Sequence, residues 1–207
     1  MTFHHRRRST FARYGPLPLM TLVASEGQGQ GLPSLPHIIP NACQLECCRL
    51  GEWSTSFSSL PVYAQPGDPS APVATIPVRT SFVADSTVVV VRQFGIAVVD
   101  KLVRKRPYFL NDSSTLDPGD TVYLVKYNGE DWFTSIIHNR VDTVHAFWGP
   151  GGPGMLRPQG TPSYGRVLQN LETEWWVRVR LTNGSAGWIN MTRVGSVRGP
   201  DACSQGN

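Results

Sequence analysis

The clearest alternation of hydrophobic and polar residues lies near the end of the chain, in the sequence EWWVRVR that begins at Glu174. Val177 and Val179 alternate there with Arg178 and Arg180, a period of two that is typical of a strand with one apolar and one solvated face. The pattern therefore predicts a half-buried β-strand rather than a helix.

The residues that follow predict the return strand of a β-hairpin. Asn183-Gly184 favours a tight turn, because both residues tolerate a positive φ. The return strand begins at Ala186, where Gly187 permits a close backbone approach and Trp188 is expected to bring a large apolar area into the core.

Other short segments of high β propensity recur along the chain, and turn residues separate them. The predicted strands are Pro61–Ala64, Val73–Ile76, Ser81–Ala84, Thr87–Val91, Ile96–Val99, Thr121–Tyr127 and Trp132–Ile137. Leu116–Asp120 predicts a turn, and Asn128-Gly129 predicts a second hairpin turn. No long segment has apolar residues at helical spacing, so the chain is expected to be all-β.

Gly and Pro, which number 20 and 17, concentrate in two segments that predict no regular structure. Residues 26–41 are rich in Gly, Gln, Pro and Ser and are expected to form a disordered linker. Gly149–Ser163 is expected to form a long surface loop inserted before the closing hairpin.

The positive net charge of +4 comes from the first 25 residues, which carry four arginines and no acidic residue. The rest of the chain holds 15 basic and 15 acidic residues. Because nucleic-acid-binding barrels present a basic groove, this balance disfavours a nucleic-acid partner.

Residues 1–25 combine a basic start, an apolar segment and small residues at Ala24 and Ser25, which predicts a cleavable export signal. The alternative is a disordered basic arm. No uninterrupted apolar run reaches the ~18–20 residues that a membrane-spanning helix requires. We therefore expect an exported protein, periplasmic or secreted, without a transmembrane segment in the mature chain.

In an exported chain, the four cysteines predict two disulfides. Cys47 and Cys48 are adjacent and are not expected to bond to each other, because that bridge strains the intervening peptide. One cysteine of the cluster is expected to bond Cys203, and Cys43 is expected to pair with Cys47 or Cys48. The cluster lacks the C-x-x-C pairs of structural zinc, so no metal site is predicted.

Four motifs resemble parts of bacterial SH3-like (SH3b) domains: V-Y-A-Q-P at 62–66, V-A-T-I at 73–76, P-G-D-T-V-Y at 118–123 and G-S-A-G-W-I at 184–189. The motif C-x3-C-C-x3-E-W at 43–53 is similar to one in exported bacterial proteins that carry such domains. The resemblance covers residues 55–195. It implies two small SH3-like barrels or half-barrels in tandem, at 42–110 and 116–195, followed by a tail at 196–207.

Catalytic chemistry finds little support in the sequence, and no catalytic residue or cofactor is predicted. There is no G-x-S-x-G nucleophile motif and no glycine-rich phosphate loop between a strand and a helix. His138 and His145 lack a third ligand at plausible spacing, which favours ordinary structural histidines over a metal site.

Paired aromatic residues are the best candidates for a binding site. Trp132 and Phe133 are neighbours on one strand, and Trp175 and Trp176 on another, so one member of each pair faces outward unless the sheet is covered on both sides. Complete coverage by packing between modules is the alternative. Tyr63 and Tyr127 can join such an aromatic face.

The SH3b resemblance implies that this face binds cell-wall peptide (peptidoglycan) or an extended peptide of an envelope protein. The sequence therefore favours a non-catalytic binding protein of the cell envelope. A structural or accessory envelope subunit with a permanent protein interface is the second hypothesis. A thiol–disulfide enzyme that uses Cys47 is the third and has the least support.

Overall fold

The computed structural model describes residues 31–44, 49–104, 115–146, 163–194 and 197–199, and these residues form an all-β fold. This confirms the predicted fold class. The strands are β1 (His37–Pro40), β2 (Gly51–Thr55), β3 (Leu60–Tyr63), β4 (Pro72–Ile76), β5 (Ser81–Gln93), β6 (Gly95–Val99), β7 (Thr121–Gly129), β8 (Trp132–Ile137), β9 (Arg140–His145), β10 (Gly165–Gln169), β11 (Glu172–Arg180), β12 (Ala186–Asn190) and β13 (Val197–Arg198). A short 3-10 helix, Met191–Arg193, follows β12.

The strands form two antiparallel sheets, of which one curls into a half-barrel. The first sheet has the order β13-β2-β5-β11-β12-β3-β4, and β1 also pairs with β5. The second sheet has the order β10-β6-β7-β8-β9. The predicted export signal at 1–25 and most of the predicted loop at 149–163 lie outside the described residues.

Strand β5 is the longest strand of the first sheet and joins segments that the sequence predicted as two strands. β2 pairs with its beginning, β1 pairs with its end, and β11 pairs along its length. The pairing with β11 shifts register between Arg178 and Val179. This irregularity absorbs an extra residue in β5 and lets the strand continue through the polar segment at Asp85-Ser86.

Sheet membership crosses the predicted boundary between the two modules. Strand β6 lies within 42–110 but belongs to the second sheet, whereas β11 and β12 lie within 116–195 but belong to the first. The closing hairpin therefore completes the sheet that the beginning of the chain started.

Each sheet has its own hydrophobic core, and a third cluster lies between the sheets. The first core includes Trp53, Leu60, Phe82, Val89, Trp175, Val177, Val179 and Ile189. The second includes Ala97, Val99, Val122, Leu124, Phe133, Ile137 and Val144. Val91, Phe94, Val125 and Ile136 join residues of both sheets into one cluster, so the sheets pack against each other.

The closing hairpin forms as predicted, and Gly187 has the role that the sequence indicated. A Cβ atom at this position would lie 2.4 Å from Val62 Cγ1 and 2.9 Å from the backbone oxygen of Tyr63. Only a residue without a side chain allows β12 to approach β3 this closely.

The second predicted hairpin turn is shifted by two residues. Asn128 and Gly129 belong to β7, and Gly129 pairs with Trp132, so the turn consists of Glu130 and Asp131. Both turn residues have positive φ, 46° and 61°. The Asn-Gly prediction was wrong here because the hydrogen-bonded register extends the strand through both residues.

Strands β1, β2, β9, β10 and β13 were not expected from the sequence. Strand β9 follows a turn of His138 and Asn139, which both have positive φ. Neither is glycine, so ordinary turn signals do not mark this hairpin. Among the described residues, no helix has the length and apolar composition needed to cross a membrane.

Candidate functional site

Trp175 and Trp176 lie on opposite faces of β11, yet both are buried, with 4% and 0% of their surfaces exposed. Neighbouring positions on a strand point to opposite sides of a sheet. Both members of this pair are therefore covered by side chains of the first sheet. Phe133 is also buried, at 7% exposed. These three side chains offer little surface to a ligand, which corrects their inclusion in an exposed aromatic face.

Trp175 belongs to the inner face of the first sheet. Its ring meets that of Trp53 edge to face, with centroids 6.3 Å apart. Its indole Nε1 donates to Thr87 Oγ1 at 2.6 Å, so the only polar atom of the ring is satisfied within the core.

Trp176 lies on the outer face, where half-buried Tyr63 and Trp188 pack against it. The ring centroids of Tyr63 and Trp176 are 5.5 Å apart in an edge-to-face arrangement. We call Tyr63, Trp176 and Trp188 the outer aromatic cluster. Trp188 was expected in the core, but Ile189 faces the core instead, because the alternation of β12 places Trp188 on the opposite side.

A carboxylate with three donors lies next to this cluster. Glu174 Oε2 accepts from Trp176 Nε1 at 2.9 Å and from Arg92 Nη2 at 2.7 Å. Arg193 Nη2 lies 3.5 Å from the second oxygen, Oε1, a long contact by the standards of charge-assisted hydrogen bonds. Arg92 also donates to the backbone oxygen of Gly67 and so ties the β3–β4 loop to the outer face.

The β3–β4 loop is itself ordered by local hydrogen bonds. The backbone N–H of Ser70 donates to Asp68 Oδ1 at 3.0 Å. Hydrogen bonds from Ser70 lower the pKa of the Asp68 carboxyl, and the charge of Arg92 adds a smaller effect in the same direction. Asp68 is thus ionised at neutral pH and adds a negative charge at the edge of the outer face.

A pocket of about 210 Å³ opens beside Tyr63. It is lined by Ser58, Ser59, Leu60, Pro61, Tyr63, Asn190, Arg193 and Val194. Asn190 is only 4% exposed, and its Oδ1 accepts from the backbone N–H of Thr192 at 3.0 Å. Its Nδ2 is buried and has no hydrogen-bond partner among the described residues. The pocket therefore combines apolar walls with a guanidinium, and one of its lining residues, Asn190, carries a covered and unsatisfied amide donor.

The predicted aromatic residues of the second sheet divide between its two faces. Tyr127 and Phe133 pack in the core with ring centroids 5.2 Å apart. Trp132 is half-buried on the other face, and its ring meets the edge of His145 at 5.1 Å. Tyr63 and Trp132 are therefore on different sheets and do not form one aromatic face.

Lys126 and Asn128 of the second sheet form a small polar group with Thr134. Lys126 Nζ donates to Asn128 Oδ1 at 2.9 Å, and Asn128 Nδ2 donates to Thr134 Oγ1 at 3.0 Å. Burial lowers the pKa of Lys126. A groove of about 420 Å³ at the far end of this sheet is lined by Gly31, Pro33, His37, Ile136, Asn139 and Val141.

His138 and His145, the two histidines considered in the sequence, both contact neighbouring side chains. His138 Nε2 lies 3.1 Å from Asp120 Oδ1, and Asp120 Oδ2 accepts from the backbone N–H of Asp117, which fixes the predicted turn. The described ranges bring together no three His, Cys, Asp or Glu side chains that could hold a metal ion. Cys43, the one cysteine that the structure describes, is disulfide-bonded. Cys47, Cys48 and Cys203 lie outside the described residues, so the connectivity stays a prediction.

Sequence reasoning missed the polar half of the site, which consists of Arg92, Glu174, Asn190 and Arg193. One indication was available: in β11, Glu174 has the same parity as Trp176 and therefore shares its face. The other three residues come from β5, β12 and the 3-10 helix, and only the pairing of those strands brings them to Trp176.

Comparisons of the chain with protein-family models, with curated proteins and with solved structures gave no significant match. The function of the protein is therefore inferred from the residues and geometry of the outer face.

Proposed function

We propose that this chain is a non-catalytic binding protein of a bacterial cell envelope, and that the outer aromatic cluster recognises an extended peptide, such as the stem peptide of peptidoglycan. The observation that carries the proposal is the half-buried ring of Tyr63, which packs against Trp176 and lines a pocket together with Asn190 and Arg193. Exposed aromatic rings beside a few convergent polar groups are the common composition of peptide and small-ligand sites.

Two features of the outer face favour a peptide ligand. The accessible aromatic surface of Tyr63 and Trp188 suits the apolar parts of a peptide, and the exposed guanidinium of Arg193 can donate to its carbonyl groups. The ring of Tyr63 is held by Trp176, whose own indole is fixed by Glu174. Such a preorganised face loses little conformational entropy on binding.

The proposal includes the SH3b identity, export of the chain and two disulfides. The V-Y-A-Q-P and G-S-A-G-W-I motifs support the SH3b identity. The basic and apolar leader supports export, and the bonded state of Cys43 supports the disulfides. Intact mass of the exported protein before and after reduction and alkylation tests export and the disulfides. Loss of about 25 residues with all four thiols bonded is the expected result; an uncleaved chain with free thiols would contradict export.

Retention on purified peptidoglycan sacculi tests the binding function. We expect the mature protein to co-sediment with sacculi and Tyr63→Ala to weaken this by about tenfold, a typical loss for an aromatic hot-spot residue. Phe57→Ala is the matched control, because Phe57 is an aromatic residue that is 83% exposed and lies outside the pocket. Circular dichroism establishes that both variants are folded.

Two outcomes would contradict the proposal. Equal retention of wild type and Tyr63→Ala would move any binding away from this cluster. If the protein bound neither sacculi nor a soluble stem tetrapeptide, and formed an oligomer that survived dilution, the structural-subunit hypothesis would replace it.

A further inference from the structure

We propose that the pocket beside Tyr63 recognises the terminal carboxylate of an extended peptide, with Arg193 supplying the charge and Asn190 Nδ2 a hydrogen bond. This inference rests on the proposed function, because it assigns a ligand group to the same face. It also assigns the direction of the bound peptide, which lies on the outer face with its carboxyl end in the pocket.

The side-chain amide of Asn190 has a donor atom, Nδ2, without a hydrogen-bond partner among the described residues. Because Thr192 N–H donates to Oδ1, the orientation of the amide is fixed and Nδ2 must be the other atom. A buried donor without a partner is costly, and such groups in folded proteins call for a ligand or an ordered water. Asn190 lines the pocket, but Nδ2 itself is covered, so an acceptor oxygen of a ligand held there can satisfy Nδ2 once the side chains over it shift.

Glu174 is paired unequally with two arginines. Arg92 is the close partner, at 2.7 Å from Oε2, and the negative charge of Asp68 also acts on Arg92. Oε2 of Glu174 already has two close donors, whereas Arg193 is 3.5 Å from Oε1 and its side chain is 64% exposed. The guanidinium of Arg193 is therefore available to a second carboxylate, and its planar fork matches that group.

The pocket is small: about 210 Å³ is less than the ~300–1,000 Å³ of typical small-molecule sites. That space suits a carboxylate with one small side chain rather than an internal stretch of peptide. Leu60, Pro61 and Val194 supply apolar wall for a methyl group.

The direct test uses N-acetylalanine as the probe and N-acetylalaninamide as its neutral match, added to 15N-labelled mature protein. We expect N-acetylalanine to shift the side-chain NH₂ resonances of Asn190, and the neutral probe to require about tenfold higher concentration for the same shift, because a charge-assisted bond is lost. The same signals give both apparent affinities.

Two variants assign the preference to this pocket. Arg193→Gln should equalise the two probes, whereas Arg198→Gln, the same charge change on exposed strand β13, should leave the preference intact. Asn190→Asp keeps the oxygen that accepts from Thr192 but removes Nδ2 and adds a negative charge, so it should make the neutral probe the better ligand. Because this variant has no side-chain NH₂ at position 190, its response is read from the backbone N–H of Thr192.

Three results would each overturn the inference: equal responses of Asn190 to the two probes, no response of Asn190 up to saturating probe, or an unchanged preference in Arg193→Gln. The retention assay with Tyr63→Ala separates failure of the carboxylate proposal from failure of the binding function. If that retention persists while the carboxylate preference is absent, the outer face binds peptides without reading their ends.

Discussion

The two faces of β11 carry neighbouring tryptophans that are equally buried but are stabilised in different ways. On the inner face, Trp175 packs against Trp53 and its only polar atom bonds the hydroxyl of Thr87. On the outer face, Trp176 is covered by one aromatic layer, Tyr63 and Trp188, and its indole bonds an ionised carboxylate.

This difference indicates which face is available for function. The inner face is closed by side chains from several strands, and any ligand there would have to displace core packing. The outer face ends in half-buried aromatic rings and a pocket, so a ligand can extend the existing layer. Stability should therefore depend most on the inner face, and binding on the outer face.

The largest effect is expected from Trp53→Ala on the inner face. Trp53 is 1% exposed and contacts both Phe82 and Trp175, so its truncation leaves a large cavity and should lower the free energy of unfolding by about 3–5 kcal/mol. Urea denaturation with the disulfides intact measures this loss. Phe57→Ala should change it by less than about 0.5 kcal/mol. A loss under about 1 kcal/mol for Trp53→Ala would show that this core is not the stabilising one.

Gly187→Ala tests the close approach of β12 to β3, the strands that carry the pocket residues Asn190 and Tyr63. The added Cβ would overlap the Tyr63 backbone oxygen, which cannot move without shifting β3, so we expect a loss of about 1–3 kcal/mol together with weaker retention on sacculi. Gly184→Ala is the comparison, because Gly184 has φ 83° in the hairpin turn but open space around it. It should lose about 1 kcal/mol through backbone strain and keep retention. If both variants were retained equally on sacculi, binding would not depend on the close approach of β12 to β3.

Glu174→Gln removes the ionised acceptor of the outer face and keeps the shape of the side chain. We expect a loss of about 1–2 kcal/mol, because the Trp176 indole and Arg92 then compete for one neutral oxygen. Glu172→Gln on the same strand is the control, since Glu172 is exposed and should give no measurable change. If the two variants behave alike, the carboxylate of Glu174 does not stabilise the outer face.

The smallest effect is expected from Arg180→Gln, at the exposed end of β11. Arg180 Nη2 lies 3.0 Å from Asp85 Oδ2, and its side chain is mostly exposed, so the pair should contribute about 0–1 kcal/mol. The difference from wild type should disappear in ~1 M salt, where exposed charges are screened. A difference that persists in high salt would show that the carboxylate of Asp85, whose side chain is only 19% exposed, shields the pair from screening.

Local pattern was sufficient for the elements whose residues alternate regularly. The β11–β12 hairpin, β8 and the turn at Asp117–Asp120 form as predicted, because period-two alternation and turn chemistry act over a few residues. Strand β9 was missed because its turn residues, His138 and Asn139, carry no glycine. The turn after β7 was displaced because an Asn-Gly pair was absorbed into the strand.

The candidate site could be predicted only in part. The sequence identified Tyr63 and Trp176 as candidates, and they do meet on the outer face. It grouped them with Trp132, Tyr127 and Phe133, which belong to the other sheet. Adjacent residues on a strand reveal that two faces exist, but not which face is covered, because coverage depends on segments far along the chain.

The sequence by itself determined the all-β class and the closing hairpin, since these follow from short-range periodicity and turn chemistry. It marked Gly187 as a position of close backbone approach, but which strand approaches it follows from the fold. Only the tertiary structure decided that this hairpin pairs with β5 and β3, which lie about a hundred residues earlier in the chain. That pairing brings Arg92 and Tyr63 to Glu174 and Asn190 and so creates the pocket. Contacts over such distances depend on the register and burial of whole strands, and no local pattern encodes them.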